Sequence, residues 1–551
     1  METNWGIVLA GVGAVALSGF LRYLRSSVEY QKWKDDADRL ALDAPIPYKL
    51  GFTNMTELSI TDEELKVEGD IPAWLNGTLF RGGPGVFDVK TISGNTKHVP
   101  HWFDGLAVMN KFTVENGKVR YSRRPHSEPF IQYLALDNAA PIQFGEDPCH
   151  SIFQGLQSVF TMGNAPNAPD GRLVSNVNVT VKKIRGRYYN CTDSSRVQEF
   201  DPETVETVGD VEFFDQVFKV KGMERGVNAA SHAHYDQARG ETWNFVSDLR
   251  GKSYKVFAVP DDPDEPTRMV GVFPNVPLSY LHSSSMTPKY FILIVWPLRI
   301  SLPRLLYNKS LMGAMDWHAN EPTMIYVMDR QSGEVVLTTS CDAFFCFHTV
   351  NGYEREDGKV VVQLVTYPDD KIVRVFQLEN VRGGGYLYDG TLQEIILPDP
   401  LSGETPDKVA VRTVSQAPIE LPRINPRYYL REHRYVYGIG GEPGKGEIYT
   451  RIHKIDVADG TAVIWDGNPG DGSPCLFPME AIFIPRPEAD AEDDGVLVSI
   501  VLDATNKNSF LLVLDPSTMT EMARATVSTH IPFAFHGNYF PSDQSTSTDT
   551  A

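Results

Sequence analysis

The chain has 551 residues, of which 42% are hydrophobic and 11% aromatic, so it can bury a large core. Its formal net charge of -20 argues against nucleic acid as a partner, because phosphate binding requires a basic surface. The five cysteines form no CxxC pair, which favours a reducing, cytosol-facing compartment over a disulfide framework.

The first predicted element is an uncharged, apolar segment at residues 4–21, which is about long enough to span a bilayer. A secretory signal peptide carries its positive charge before the apolar run, whereas here Glu2 precedes it and Arg22 and Arg25 follow it. The positive-inside rule therefore places the body of the chain in the cytosol. A shallow interfacial anchor is the alternative, because glycines dilute the hydrophobicity. In both cases residues 1–25 anchor the chain at a membrane and residues 26–50 are a linker.

From about Gly51 onward, short β-rich runs alternate with turn residues, and long amphipathic helical patterns are scarce. One unit recurs in degenerate form, a strand followed by an aspartate-containing turn and a second strand, as in "VQEFDPETVETV", "IYVMDRQSGEVVL", "HKIDVADGTAVIW" and "LLVLDPSTMTEMA". Hairpins repeated through a chain of this size predict an all-β domain, a β-propeller, over residues 51–541. Residues 542–551 are typical of a disordered tail.

Thirteen histidines are the main candidates for chemistry. A lone histidine is more often a hydrogen-bonded structural residue than a ligand, and this interpretation is given to His98, His126, His150, His318, His433 and His453. Four others each adjoin an apolar, β-like run and match no zinc-finger or HExxH spacing: His232, His282, His348 and His536. Within "HIPFAFHGNYFPSD", His536 needs a partner, because an unpaired buried polar group costs about 1–3 kcal/mol. Spacing alone indicates a metal only weakly.

The contexts of these four histidines resemble the iron-ligand segments of the carotenoid cleavage oxygenase family. The similarity extends from "AWLNGTLFRGGPGVF", which begins at Ala73, through "HWFDGLAVM" at His101 to "FHGNYF" at residues 535–540. The resemblance implies a seven-bladed β-propeller with a dome of helices and loops over its active-site face. It also implies that His232, His282, His348 and His536 hold one ferrous ion, Fe2+, as the cofactor. His234, two residues from His232, is expected to be structural, with ligation as the alternative.

Three acids are implied to hold the other ring nitrogens of ligand histidines. Glu420 in "IELPRINPRYY" and Glu480 in "FPMEAIFIPRP" match the family motif. Asp193 is a departure, because the family usually has glutamate there. Aspartate is one methylene shorter, so its histidine must lie closer or a water must bridge the two. The alternative for each acid is a solvated turn residue, which is the usual state of a carboxylate.

A further resemblance concerns "EDPCHSIF" at residues 146–153, which is similar to a segment near the tunnel mouth of animal carotene and retinoid enzymes. Cys149 is a candidate for acylation, and a buried thiol is the alternative. Apolar residues follow at near-helical spacing: Ile152, Phe153, Leu156, Val159 and Phe160. They predict either a patch that enters lipid or a helix that faces the core.

The predicted activity is that of a non-haem iron(II) dioxygenase that adds both atoms of O2 across one double bond of a carotenoid or apocarotenoid, giving two carbonyl products. The protein supplies mainly placement, because a rigid tunnel decides which bond lies beside the metal. Motif position makes four aromatic residues candidates for its lining: Trp102, Phe103, Phe345 and Phe535. Arg423 and Asn425 are expected to be scaffold.

Three other functions are alternatives to this one. Stilbene-cleaving members of the family carry a lysine just before the acid, where this chain has Thr192, which favours a hydrocarbon-like substrate. A propeller that only binds a partner would leave the buried histidines structural. An isomerohydrolase would isomerise its substrate without consuming oxygen. The substrate itself, the cleaved bond and the oligomeric state are left open by the sequence.

Overall fold

The computed structural model of the chain describes residues 47–145, 166–220, 228–248, 252–308, 310–384, 388–446, 448–468 and 475–542. The predicted anchor, most of the predicted linker, the segment around Cys149 and the tail from residue 543 lie outside these ranges. The described residues form seven antiparallel sheets of four to six strands, which are the blades of a seven-bladed β-propeller. The predicted fold class is therefore confirmed.

We number the blades by the order in which their main strands occur in the chain. Blades 1 to 3 contain these strands: Ile60–Glu64, Gly77–Val86, Leu106–Glu115, Lys118–Pro125 and Gly537–Pro541 in blade 1; Thr180–Ile184, Arg187–Cys191, Arg196–Phe200 and Glu212–Phe213 in blade 2; Asn228–Ala229, His234–Asp236, Glu241–Asp248, Ser253–Pro260 and Arg268–Phe273 in blade 3. Blades 4 and 5 contain these: Ser285–Met286, Tyr290–Val295, Thr323–Asp329 and Val335–Cys341 in blade 4; Phe345–Glu354, Val360–Tyr367, Thr391–Leu397 and Val411–Pro418 in blade 5.

Blades 6 and 7 complete the ring with these strands: Glu420–Arg423, Tyr435–Gly440, Arg451–Asp456 and Ala462–Asp466 in blade 6; Lys66–Gly69, Leu476–Pro478, Ile482–Pro485, Gly495–Asp503, Asn508–Asp515 and Thr520–Val527 in blade 7. Two small hairpins lie outside the blades: Asp88–Lys90 with Thr96–His98, and Leu298–Ile300 with Met315–Trp317. The helices are short: Glu128–Ala135, Phe214–Val217, Leu302–Asn308, Lys371–Val375 and Leu378–Gly383, with 3-10 turns at Pro47–Phe52, Trp102–Asp104, Met312–Ala314 and Pro426–Tyr428.

Strands from both ends of the chain close the ring. The C-terminal strand Gly537–Pro541 pairs with Gly77–Val86 in blade 1, with Asn538 opposite Phe80. The early strand Lys66–Gly69 pairs with Thr520–Val527 in blade 7. Gly537 is required in this seam, because a Cβ there would lie 2.3 Å from the Phe80 carbonyl oxygen. The seam therefore brings the residue next to Gly537, His536, to a defined position.

The predicted aspartate turns are present in the structure. The Asp201 carboxylate accepts hydrogen bonds from the backbone N–H groups of Glu203 and Thr204 at 2.9 and 2.8 Å. Asp515 accepts one from Ser517 at 2.8 Å in the turn between the last two antiparallel strands of blade 7. The carboxylate satisfies turn N–H groups that no strand partner can reach, which is why the unit recurs.

The blades pack face to face through apolar side chains. One such interface joins Tyr437 and Ile452 of blade 6 to Phe483 and Leu497 of blade 7, all buried. Both faces of each sheet bury apolar side chains against the neighbouring blades. Polar groups are therefore expected at the strand ends near the axis. Among the helices within the described ranges, none is both long and apolar enough to cross a bilayer.

One glycine tests the packing between blades 5 and 6. Gly460 has φ +76°, and a Cβ there would lie 2.3 Å from the Val414 carbonyl oxygen. Gly186 has the same φ of +76° but nothing within 4 Å of its Cβ position. Alanine at either position costs about 1 kcal/mol for the left-handed backbone. We expect Gly460→Ala to lower the free energy of unfolding by about 1–3 kcal/mol more than Gly186→Ala, as overpacking does. Equal losses in denaturant unfolding would contradict this contact.

Candidate metal centre

The inner strands of four blades bring four imidazoles together. His232 lies between the two short inner strands of blade 3, and His282 precedes the inner strand of blade 4. His348 lies within the inner strand of blade 5, and His536 precedes the closing strand of blade 1. One nitrogen of each ring lies within 4.8 Å of one nitrogen of each of the others. The structure therefore assembles all four histidines that the sequence singled out.

The Nε2 atoms of these rings face one another. Nε2 of His232 lies 3.0 Å from that of His282, and Nε2 of His348 lies 3.1 Å from that of His536. Burial, before other effects, lowers the pKa of His536 to about 3 and that of His232 well below the ordinary value, so these rings are neutral at pH 7. Facing lone pairs on neutral nitrogens repel one another unless a cation lies between them. This donor set fits a metal ion that accepts imidazole ligands.

Three carboxylates, two buried and one partly buried, bind the outward nitrogens of three of the rings. The Nδ1–H groups of His282, His348 and His536 donate to Asp193, Glu420 and Glu480 at 2.6, 2.6 and 2.7 Å. Each bond fixes the tautomer that leaves the Nε2 lone pair free toward the centre, and it makes that nitrogen a better donor to a metal. The three acids named from the sequence are thus not solvated turn residues.

Asp193 reaches His282 directly, so the shorter side chain needs no bridging water. The Tyr280 hydroxyl donates to the same carboxylate oxygen at 2.8 Å, and the Ser231 hydroxyl donates to the other at 2.8 Å. Burial would raise the pKa of Asp193, but His282 and these hydroxyl donors hold it below its ordinary value. Burial also raises the pKa of Tyr280 well above its ordinary value, so its hydroxyl remains a donor.

Glu420 has an equivalent environment at the start of blade 6. The Tyr367 hydroxyl donates to Oε1 at 2.8 Å, and the backbone N–H of Leu421 donates to Oε2 at 2.7 Å. Burial would raise the pKa of Glu420, but His348 and these donors lower it. The sequence did not predict Tyr280 and Tyr367 as part of the site, because no local pattern distinguishes them from core tyrosines.

Glu480 differs in that two guanidinium groups bind it. Arg81 donates to Oε2, Arg423 donates to Oε1 at 2.8 Å, and the backbone N–H of Gly537 donates to Oε2 at 3.0 Å. Burial would raise the pKa of Glu480, but Arg423, His536 and Arg81 hold it well below its ordinary value. Arg423 was expected to be scaffold, and it contacts the acid that holds His536. Arg81 lies in the motif that begins at Ala73, and the sequence predicted no role for it.

Asn425, also expected to be scaffold, has structural contacts only. Its side-chain amide donates to the Glu492 carbonyl oxygen at 2.7 Å, and its side-chain oxygen accepts the Arg427 backbone N–H at 3.0 Å.

His234 lies outside the four-histidine cluster. Its Nε2 lies 2.9 Å from the Ser284 hydroxyl, and its Nδ1 contacts the Tyr429 hydroxyl. Both ring nitrogens therefore have partners, which agrees with a structural role. His232 is the opposite case: among the described residues, no carboxylate lies within hydrogen-bond distance of its ring.

Four of the other histidines with structural interpretations have local partners in the described part of the chain. His126 pairs with the Val205 carbonyl oxygen at 2.7 Å, His98 with Asp88 at 2.6 Å, and His318 with Glu321 at 2.9 Å. His433 lies 3.1 Å from the Asn351 side-chain amide, and the His453 ring is buried in blade 6. His150 lies outside the described residues.

Aromatic rings lie against one side of the histidine cluster. The Phe347 ring lies 5.7 Å from the His282 ring and 5.7 Å from the Phe103 ring, which lies 5.5 Å from that of Phe535. Trp102 packs behind Phe535 at 5.1 Å. Phe345 is fully buried against Phe347 and Trp296, so it lies in the core behind this wall. The sequence analysis named Phe345 for the lining and missed Phe347, because it could not show which of the two rings faces the axis.

Comparisons with known proteins agree with this architecture. Residues 51–541 match the family model described as retinal pigment epithelial membrane protein, RPE65. The carotenoid dioxygenase of Neurospora crassa is 29% identical, and the match covers 90% of this chain and 91% of that protein. Human β,β-carotene 15,15'-dioxygenase is 29% identical over 526 residues, covering 86% of this chain and 91% of that protein.

Solved structures share the fold. A variant of Synechocystis apocarotenoid oxygenase has a TM-score of 0.75 at 22% identity, covering 91% of this chain and 99% of that one. A cobalt-substituted form of the Synechocystis enzyme has a TM-score of 0.73 at 22% identity, with the same coverage.

The carboxylates can be tested by the rate of metal loss. Glu420→Gln keeps the size of the side chain but removes the charge that holds the Nδ1–H of His348. We expect cobalt(II) loaded into the variant to pass to a chelator about 10–100-fold faster than from the unaltered protein, and Glu480→Gln to behave alike. Asp193→Glu should retain metal better than Asp193→Ala. Glu404→Gln, at an exposed position, is the control. Equal rates in Glu420→Gln and this control would contradict the orienting role.

Proposed function

The chain belongs to the retinal pigment epithelial membrane protein family, the carotenoid oxygenase family of enzymes, and we propose that it cleaves a carbon–carbon double bond of a carotenoid or apocarotenoid with iron(II) and O2. The observation that carries this proposal is the set of four facing Nε2 atoms, three of them on rings whose Nδ1 atoms are held by carboxylates. A four-histidine set of neutral ligands leaves the charge of a divalent metal largely uncompensated and coordination positions free.

Iron is proposed among the metals that accept imidazole. Zinc has no redox chemistry, and the relatives of this chain are named as dioxygenases. When bound, iron(II) would supply the activation of O2. His232, His282, His348 and His536 would hold it, and the three acids would keep three of these rings in the donor tautomer.

The chain's own part in the reaction is orientation of the substrate. One double bond and one O2 yield two carbonyl groups, so both oxygen atoms are accounted for and no further reductant is needed. The wall formed by Phe103, Phe347 and Phe535 offers a polyene apolar, polarisable contacts and keeps water away. Such placement of a substrate beside a reactive group can contribute a large part of a rate enhancement.

A hydrocarbon-like substrate is favoured over a stilbene. Thr192, next to Asp193, is partly buried, and a threonine there gives a phenol no cationic partner. A stilbene cleaver is therefore the second candidate. An isomerohydrolase would isomerise its substrate without consuming oxygen, and a propeller that only binds a partner would leave the substrate unchanged.

We place the protein at a membrane with its body facing the cytosol. This proposal is supported by the apolar segment at residues 4–21 with Arg22 and Arg25 after it. It is also supported by exposed apolar side chains near the helix Glu128–Ala135. Ile92 is 75% exposed and Leu136 43% exposed, and the Ile92 N–H bonds to the carbonyl oxygen of residue 135, next to Leu136. Contiguous exposed apolar groups are typical of a lipid contact.

The function is tested with purified, iron-loaded protein and a panel of carotenoids, apocarotenals and stilbenes, with products identified by mass and oxygen consumption recorded. We expect aldehydes from a carotenoid or apocarotenoid. Alanine in place of His232, His282, His348 or His536 should each sharply lower bound iron and turnover, because each removes one ligand. His318→Ala, whose ring pairs with Glu321 away from the centre, is the control.

The outcomes separate the candidates. Cleavage of stilbenes alone would support the second candidate, and isomerisation without oxygen uptake would exclude a dioxygenase. Full iron content in one histidine variant would remove that residue from the ligand set.

Membrane attachment is tested by removing the residues before about Ser26. A polyene is nearly insoluble, so an enzyme held at the bilayer gains access to it. We expect the truncated protein to move largely to the soluble fraction and to cleave liposome-borne substrate more slowly, with cleavage of detergent-dispersed substrate retained. Residual binding is expected if the apolar residues after Cys149 also enter lipid. A truncated protein bound as tightly as the full chain would show that residues 4–21 are not the main anchor.

A further inference from the structure

His232 is held differently from the other three histidines of the cluster. Their rings are held from behind by carboxylates, whereas among the described residues no carboxylate reaches the His232 ring. A ligand whose ring is not fixed loses rotamer freedom on binding a metal, and this weakens the site. The contacts of the residues on either side of His232 show how it is held instead.

The residue before His232 is tied to blade 2. The Ser231 hydroxyl donates to Asp193 at 2.8 Å, and the Ser231 backbone N–H donates to the same carboxylate oxygen at 3.2 Å. Asp193 therefore positions two ligands, because its other oxygen accepts the hydrogen bond from the Nδ1–H of His282.

The residues after His232 form hydrogen bonds with three other blades. The His234 ring contacts Ser284 of blade 4 at 2.9 Å and Tyr429 at the edge of blade 6. Between these anchors, the Lys182 Nζ of blade 2 donates to the Ala233 carbonyl oxygen at 2.9 Å. Within the described ranges, the only hydrogen bond to the residue that directly follows His232 thus comes from a lysine side chain of the inner strand Thr180–Ile184.

We propose that Lys182 is a positioning residue that sets the His232 imidazole toward the metal by holding the Ala233 carbonyl. This inference rests on the proposed metal site. The side chain acts on the backbone next to His232, as the carboxylates act on the rings of the other three histidines. A carbonyl that accepts a fixed donor resists rotation of the Ala233–His234 peptide plane. This limits movement of the backbone one residue after His232, and so limits movement of the imidazole that His232 carries.

The positive charge of Lys182 has the opposite effect, because it weakens the retention of a metal ion. Its ammonium group contacts the residue next to His232 and its positive charge acts on the His232 ring, so it would repel a metal ion bound there. Burial lowers the pKa of Lys182 to about 8, so the group is still largely protonated at pH 7. If charge alone mattered, removal of Lys182 would slow metal release. If positioning dominates, its removal speeds release.

The test compares Lys182→Met with Lys183→Met in the full chain. Methionine keeps most of the stem of lysine and removes the donor. Lys183 is the neighbouring residue, is exposed and lies over the Tyr188 ring, so it is a matched control. We expect cobalt(II) to pass to a chelator about 10-fold faster from Lys182→Met, with Lys183→Met unchanged. Lys182→Arg, which keeps a donor, should restore most of the retention.

Two further measurements separate positioning from general destabilisation. The Tm of the metal-free Lys182→Met protein should match that of the metal-free unaltered protein, while the rise in Tm on adding cobalt(II) shrinks. The visible absorption bands of bound cobalt(II) should shift, because the His232 ring is displaced. If Lys182→Met does not fold, the same measurements on Lys182→Gln and Lys182→Arg decide the matter.

The possible results are distinguishable. Unaltered protein that binds no cobalt(II) would overturn the proposed metal site. Unaltered protein that binds cobalt(II) while Lys182→Met releases it at the same or a lower rate would overturn the positioning role alone. An equal loss of Tm in the metal-free and metal-bound Lys182→Met protein would make Lys182 a purely structural residue.

Discussion

The hydrogen bond from an imidazole Nδ1 to a buried carboxylate is the interaction on which this centre depends. It fixes the ring in one tautomer and turns the Nε2 lone pair inward, and the structure contains it three times at 2.6 to 2.7 Å. Each bond joins two blades: His282 of blade 4 to Asp193 of blade 2, His348 of blade 5 to Glu420 of blade 6, and His536 of blade 1 to Glu480 of blade 7. The centre can therefore form only when the ring of blades is closed.

Glu420 and Glu480 are buried and Asp193 is partly buried, and two kinds of donor stabilise the three carboxylates. Asp193 and Glu420 are held by tyrosine hydroxyls, whose pKa values burial raises well above the ordinary range. Glu480, at the seam where the chain ends meet, is held by the guanidiniums of Arg81 and Arg423. A buried charge without such partners would cost several kcal/mol. The seam of the propeller and the position of His536 consequently depend on the same group of charges.

His232 stands apart because its ring has no carboxylate partner among the described residues. It is partly exposed, whereas the other three rings are buried. The aromatic wall lies on the side of His282, where Phe347 contacts the ring. The cluster thus has phenylalanine rings beside His282, whereas the segment that follows His232 is held by polar side chains, Lys182 on Ala233 and Tyr429 on His234. This asymmetry suits the proposed function, in which an apolar substrate lies on the aromatic side.

The sequence by itself determined the strand and turn pattern, the four histidines and the three acids. Alternating apolar residues and aspartate turns are local signals, and the motif resemblance supplied the histidines and acids. Only the tertiary structure decided which acid meets which ring, since the paired residues lie 89, 72 and 56 positions apart. It likewise decided that Phe347 rather than Phe345 contacts a histidine, and that Arg81 and Arg423 bind Glu480. Such contacts depend on the closure of seven blades around one axis, and no local periodicity encodes that closure.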